Sequence, residues 1–351
     1  MLADLAMRGG RRVVALDLFG DLDLHRSADR VVTRPGMTAL VDAAMAEAPG
    51  AVVYGASFEN HPALVERLSE RHALLGNPSS TLRAVRDPAQ LGAALGDLPH
   101  PRVTVAAPSS GRWLRKPLRG GGGIRVREWR GGALPAGTYL QERIDGIACS
   151  AAAVGDGKDA VVLGVTEQLV GRRAFGVGGY RWCGNVVPPR LPAAELLDQA
   201  RVICSRLAAA FALRGLFGVD FIWDGERAWT LEVNPRPTAS LEVIEPAYGS
   251  GVFDAHMRAC AGELPRAGGE PVRAAGKAVL FATEDVTAPD TERWLERGVR
   301  DVPHPGERIA AGRPVCTVAL TAATPDEVVD GLEREAARLR SELRVEVAAG
   351  G

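Results

Sequence analysis

Lysine is scarce in this chain. Of its 42 basic residues only Lys116, Lys158 and Lys277 are lysines, so any lysine in a chemical context stands out. Cysteine is equally sparse: Cys149, Cys183, Cys204, Cys260 and Cys316 are odd in number and widely spaced. That excludes a disulfide framework or a Cys-x-x-Cys metal site and leaves free thiols as the expectation. No sign of charge dominates, because 42 bases meet 43 acids for a net charge of −1. Bulk electrostatics therefore gives no reason to expect nucleic acid or an anionic membrane as partner. No run of 18 uncharged apolar residues occurs, and the opening MLADLAMRGG has an acid at Asp4 and no basic stretch leading into an apolar one. Neither a membrane span nor a signal peptide is expected, which points to the cytoplasm. The six histidines, His25, His61, His72, His100, His256 and His304, lack metal-ligand spacing. Gly-Lys-Ser and Gly-Lys-Thr are also missing, so there is no Walker loop, and the glycines of FGVGGYRWCG neither follow a strand nor open a helix as a dinucleotide fingerprint requires.

What is present fits an ordinary globular chain of several domains. At 351 residues, 46% hydrophobic and 24% charged, two or three domains are expected. The opening reads as α/β: a helix from Leu2 to Arg8 stopped by Gly9-Gly10, a strand in RRVVALDLFGD, a second strand in AVVYGA, then helices at Pro62–Leu68 and Pro88–Leu95. Such alternation implies a parallel sheet, although one that starts on a helix and is missing its first strand. From about Pro99 the texture changes to short strands broken by glycine and proline, which reads as antiparallel sheet. A helix over Ala193–Ala212 precedes two strands, GLFGVDFIWD and RAWTLEVN, joined at Asp224-Gly225 as a hairpin. The expected division is 1–98, 99–265 and a C-terminal α+β extension over 266–351, which has strands near Ala278 and Pro314 and a charged helix from Pro325.

The hairpin carries the chemistry. Asp220 lies on its first strand, and Glu232 and Asn234, two apart on the second, share a face by the period-two alternation of a strand. Three oxygen donors suit a hard cation such as Mg²⁺, which one or two carboxylates hold while phosphates and waters complete its shell. Upstream, Lys116 ends a strand in front of four glycines, Gly120 to Gly123. A glycine run contributes no packing and costs backbone entropy, so a mobile flap over phosphates is expected, with amide N–H groups facing the oxygens.

The order of these parts resembles the ATP-grasp superfamily: a lysine with a glycine-rich flap, the linker segment YLQERIDG, and a metal hairpin ending EVNPRP after GVDF. Within it the chain is similar to the predicted carboligases that share a core with biotin carboxylase, on the segments DLFGDLD, LLGN, YRWCGNVVP and EVNPRPTASLE. The resemblance covers roughly residues 80 to 250 and implies an ATP-grasp fold behind an N-terminal Rossmann-like domain. It also implies Lys116 and the flap glycines Gly121, Gly122 and Gly123 on the ATP phosphates, and Gln141, Glu142 and Ile144 at the adenine hinge. Mg²⁺, or Mn²⁺ in its place, would sit on Asp220, Glu232 and Asn234, with Lys116 and Arg236 acting in catalysis. Two departures stand out: GIACS offers no acid after the hinge for the ribose, and RAVRDP supplies only arginines, with Arg86 nearest, where relatives often place another lysine.

The activity so implied is ATP-dependent carboxylate–amine ligation through an acyl phosphate, releasing ADP and phosphate, in cofactor or small-peptide biosynthesis. The partners are a small-molecule carboxylate and an amine, with a homodimer allowed. Gln168, Arg181 and Asn185, in a glycine-rich stretch with Tyr180 and Trp182, are the candidate substrate contacts. One competing reading is a biotin-carboxylase-like enzyme, which would need a separate carrier because no Met-Lys pair exists in the chain. The other is a nucleotide-binding regulatory protein without catalysis.

Overall fold

The computed structural model describes residues 1–249 and 251–349. Helix α1 (Leu2–Arg8) is not a crossover of the N-terminal layer: its buried Leu5 and Ala6 pack with Val252 and Phe253. Strand β1 (Val14–Asp17) ends where the Asp17 carboxylate accepts the amides of Phe19 and Gly20 at 2.8 and 2.9 Å, folding DLFG into a turn. It pairs in parallel with β2 (Arg30–Thr33), and α2 (Met37–Ala46) follows. Strand β3 (Ala51–Val52) then pairs in parallel with β4 (Ala73–Leu74) across α3 (Pro62–Ser69). The expected parallel sheet is therefore two separate two-stranded ladders. Helices α4 (Ser79–Val85) and α5 (Pro88–Leu95) complete this half, the latter capped by the Asp87 carboxylate.

A four-stranded antiparallel sheet comes next, made of β5 (Val103–Thr104), β6 (Trp113–Pro117), β7 (Arg127–Glu128) and β8 (Thr138–Glu142) in the order β5-β8-β6-β7. The remaining chain forms β9 (Ile147–Asp156), β10 (Ala160–Val170), β11 (Trp182–Val187), α6 (Ala193–Phe211), β12 (Arg214–Trp223), β13 (Ala228–Asn234), α7 (Leu241–Tyr248) and α8 (Val252–Cys260). It ends with β14 (Ala274–Phe281), β15 (Val286–Thr287), α9 (Glu292–Glu296), β16 (Arg308–Ile309), β17 (Pro314–Ala322) and α10 (Pro325–Ala349). Seven of these strands make one antiparallel sheet in the order β13-β12-β9-β10-β11-β14-β17. Strands β14 and β17, from beyond residue 265, are thus continuous with the sheet that carries the hairpin.

Alternation along these strands decides what each face does. Cys149, Ala151, Val219, Phe221 and Val233 point to one side and pack under Leu196, Ile203 and Leu207 of α6. Val328 and Leu332 of α10 cover Cys183, Ala278 and Val318 on that same side. Each fully buried leucine or isoleucine there contributes about 1.5–3 kcal/mol relative to exposure. The intervening residues Ser150, Asp220, Glu232 and Asn234 face the other way, toward the groove between the two sheets. Burying one face fixes the register and so fixes which side chains reach the groove. All five cysteines are free thiols, and among the described residues no helix is long and apolar enough to cross a membrane.

Candidate functional site

Asp220 lies directly opposite Glu232, and Gly218 opposite Asn234, across the β12–β13 ladder, with a register shift just after Asp220. The turn is closed by Asp224, whose Oδ1 accepts the amides of Glu226 and Arg227 at 2.9 and 2.8 Å. Asp220 Oδ2 accepts from Asn234 Nδ2 at 3.1 Å and Oδ1 from Gln168 Nε2 at 2.9 Å. The three expected donors converge, and Gln168 joins them from β10.

Two carboxylates meeting in a sheltered groove repel each other. Burial, and then the neighbouring Glu232, push the Asp220 carboxyl up. Burial also opposes charge on Glu232, but Lys116 and Arg86 outweigh it and hold that carboxyl below the ordinary range. A divalent cation relieves this frustration by neutralising both groups, and the all-oxygen donor set fits Mg²⁺ or Mn²⁺.

Lys116 sits on β6 opposite Tyr139. Its Nζ lies 3.8 Å from Glu232 Oε2 and donates to Gln141 Oε1 at 3.1 Å. Burial disfavours its charge, but Tyr139, Glu232 and Asp220 more than compensate and keep it cationic. Gln141 is buried and its Nε2 donates to Leu231 O at 3.3 Å. Its side chain therefore braces Lys116 against β13 and is not free for a base. The Glu142 carboxylate is likewise engaged, gripping Arg102 at 2.8 and 3.0 Å. Their main chain is paired as well: β8 lies between β5 and β6, and Glu142 N donates to Arg102 O at 2.8 Å. Ile144 follows half-buried, between the two sheets.

The glycine flap is docked through its own main-chain atoms. Gly120 N donates to Asn60 Oδ1 at 3.0 Å, and Trp182 N donates to Gly122 O at 3.1 Å. Gly123 has φ +70°, and a Cβ there would lie 1.8 Å from Tyr180 O, so only glycine fits. An added Cβ at Gly121 or Gly122 would meet no atom within 4 Å, and Gly121 O accepts from Ile124 N at 3.2 Å.

Arg236 lies beside the hairpin with its Nη2 donating to Asn234 Oδ1 at 3.2 Å. Two acids close to it in sequence, Glu242 and Glu245, are committed elsewhere. Glu242 pairs with the buried Lys277 and with Arg300, and Glu245 pairs with Arg8. The true partner is Glu59, which takes Arg236 Nε and Nη2 at 3.0 and 2.7 Å. Glu59, Asn60 and the brace role of Arg86 were missed by sequence reasoning. The signal that could have found the first two is their place in the loop between the short strand β3 and helix α3, where α/β domains present polar groups.

The three candidate substrate residues separate. Gln168 belongs to the Asp220 cluster. Asn185 is buried, donating to Thr166 Oγ1 at 2.8 Å and Ser150 Oγ at 3.3 Å and accepting from Trp182 Nε1 at 3.1 Å. Its hydrogen bonds are spent inside the sheet. Arg181 stacks 4.2 Å from the ring centroid of Phe281 and lines a cavity of about 570 Å³ with Arg125, Arg127 and Tyr180.

Comparison with known proteins agrees with this geometry. Residues 90–240 match the model of an ATP-grasp domain. Formate-dependent phosphoribosylglycinamide formyltransferase of Burkholderia pseudomallei (strain 668) is 32% identical over 163 residues, 43% of this chain and 38% of the relative. The chain thus spans well under half the length of that curated relative. Among solved structures, the biotin carboxylase domain of a single-chain bacterial carboxylase superposes with TM-score 0.68 at 20% identity, covering 98% of this chain and 86% of that one. The ADP complex of N5-carboxyaminoimidazole ribonucleotide synthetase gives TM-score 0.69 at 17% identity, covering 97% and 94%. At these identities the two superpositions speak for the fold, and with the matched domain, the hairpin and the flap they lead to one statement: the chain carries an ATP-grasp domain.

Proposed function

We propose that the chain is an Mg-ATP-dependent ligase that activates a small carboxylate as an acyl phosphate and passes it to an amine, releasing ADP and phosphate. The observation that carries this reading is the meeting of Lys116, Asp220, Glu232 and Asn234 in one groove beneath a glycine flap. Asp220, Glu232 and Asn234 would hold Mg²⁺, which when bound supplies charge neutralisation on the β and γ phosphates. Lys116, kept cationic and braced by Gln141, adds a fixed positive charge. Arg236 faces the same cluster and stabilises charge on the transferred phosphoryl group. Closure of the flap keeps water from the acyl phosphate.

The amine class is supported by the name of the curated relative with which the domain aligns, a formate-dependent phosphoribosylglycinamide formyltransferase, and both substrates are small molecules in this reading. The test is a screen for substrate-dependent ADP release over amino acids, glutamyl compounds and small carboxylates, with hydroxylamine present to trap an acyl phosphate as a hydroxamate. Hydroxamate formation that requires both ATP and one carboxylate supports the proposal. Release of AMP, or turnover only with bicarbonate and biotin, overturns it.

A further inference from the structure

Arg236 and the flap belong to different parts of the chain, yet both are held by one short turn. We infer that Glu59 and Asn60 are positioning residues that tie docking of the flap to alignment of Arg236, an inference that rests on the phosphoryl-transfer reading of Arg236.

A guanidinium has five N–H donors. In Arg236, Nε and one Nη2 hydrogen go to the two oxygens of Glu59, the other Nη2 hydrogen goes to Asn234 Oδ1, and one Nη1 hydrogen goes to Pro237 O at 3.2 Å. A single Nη1 hydrogen is left. The fork is therefore fixed in rotation and aims one donor, the arrangement expected of a group that must not reorganise during reaction. Glu59 does the fixing, and at 3% exposure it has no other evident use for its charge.

The next residue holds the flap. Asn60 Oδ1 accepts from Gly120 N at 3.0 Å and from Arg86 Nη2 at 3.2 Å, and the same Arg86 nitrogen reaches Leu118 O at 3.2 Å and Gly120 O at 3.0 Å. Glu59 and Asn60 share a single turn of 3₁₀ helix, Phe58–Asn60, entered through Ser57 at φ 78°. Its base is pinned as well: Phe58 packs on Tyr54 at 5.8 Å between ring centroids, and the single Tyr54 hydroxyl hydrogen is shared between Asn77 O at 2.7 Å and Pro235 O at 3.2 Å. Pro235 adjoins Arg236, so Glu59 holds the arginine itself and Tyr54 holds the residue before it. A shift of the flap root moves Asn60, and one peptide away it moves Glu59.

The test uses the full chain and two readouts: phosphate release from Mg-ATP with water as acceptor, and amide exchange across residues 118–124 with and without Mg-AMPPNP. Glu59→Gln is expected to slow phosphate release about tenfold while Mg-ATP affinity stays within about threefold. The double variant Glu59→Gln/Arg236→Ala should be no slower than Arg236→Ala alone, because both changes remove one function. Glu59→Gln should also speed exchange at 118–124 about threefold, although Glu59 makes no hydrogen bond to the flap, and Asn60→Ala should do so more strongly. Multiplicative effects in the double variant, or flap exchange unchanged by Glu59→Gln, would overturn the coupling. If Glu59→Gln does not fold, Glu59→Asp keeps the charge one methylene short, and the same two results decide. Where release is too slow to measure, the exchange arm decides alone. A wild-type chain that does not bind Mg-ATP overturns the ligase reading itself, an outcome distinct from binding without coupling.

Discussion

The hairpin and the arginine clamp do neighbouring jobs but are built in opposite ways. Asp220, Glu232 and Asn234 come from one ladder closed by a turn of its own residues, so their convergence follows from strand alternation. Arg236 depends on Glu59, 177 residues away, and the flap depends on Asn60, 60 residues away. The first arrangement survives in any context that pairs the two strands. The second exists only when the N-terminal half is docked on the groove. The geometry of the proposed metal site is therefore a local property, and the alignment of Arg236 is a global one.

The strongest way to break the clamp is Glu59→Ala. It leaves the largely buried Arg236 charge without its partner and should cost about 3–5 kcal/mol of stability, read by denaturant unfolding. A loss under about 1 kcal/mol would mean that the pair is solvated and that the contrast with the hairpin fails.

The start of β12 has a long-range support of its own. His256 Nδ1 accepts from Leu216 N at 2.8 Å, and burial lowers its pKa to about 4 from the ordinary 6.5. Above about pH 6.5 both folded and unfolded states are neutral at this site. As pH falls from 6.5 toward 4 only the unfolded state takes the proton, so stability is lost, by about 3 kcal/mol at pH 4. Thermal unfolding across this window should show the slope, and His256→Gln should flatten it. An unchanged slope in the variant would assign the acid sensitivity to other groups.

Arg236→Ala should leave ATP affinity within a few-fold and lower turnover by about 100-fold, roughly 2.7 kcal/mol of transition-state stabilisation. Glu232→Gln should instead weaken Mg²⁺ and ATP binding together, measurable by calorimetry. Normal turnover in Arg236→Ala, once the substrate is known, would leave the Glu59 pair a purely structural contact. The smallest effect is expected at the tip of the hairpin. Asp224→Ala removes the acceptor for two amides and should cost about 1 kcal/mol with nucleotide binding retained. A larger loss of binding there would show the hairpin to be less self-contained than its hydrogen bonds indicate.

Legibility in the sequence followed the same divide. Helix α6, the β12–β13 hairpin and strands β14 and β17 were readable because their apolar periods are long and their turns carry Asp-Gly or proline. In the N-terminal half, β2 and α2 were not singled out, and the parallel sheet read there is only two short ladders. Strands of two to four residues carry too little alternation to register. Gln168 lies beside Asp220 whereas Asn185, from the same stretch, meets a buried hydroxyl pair, and a polar residue on a strand reads the same in either place. The flap glycines carry no side chain that signals a hold; they are docked through their own main-chain atoms, partly onto the Asn60 and Arg86 side chains, and such contacts leave no trace in the identity of the glycines.

By itself the sequence determined the local parts: a hairpin with three oxygen donors on one face, a lysine ahead of four glycines, and the fold class that the alternation of elements implies. These follow from strand period and backbone entropy, which act over a few residues. Only the tertiary structure decided that Glu59 orients Arg236, that Asn60 holds the flap root, and that Gln141 serves Lys116. Those contacts join groups from 25 to 177 residues apart, and which of many chemically equivalent acids and amides meets a given cation is set by how the layers pack, not by any pattern along the chain.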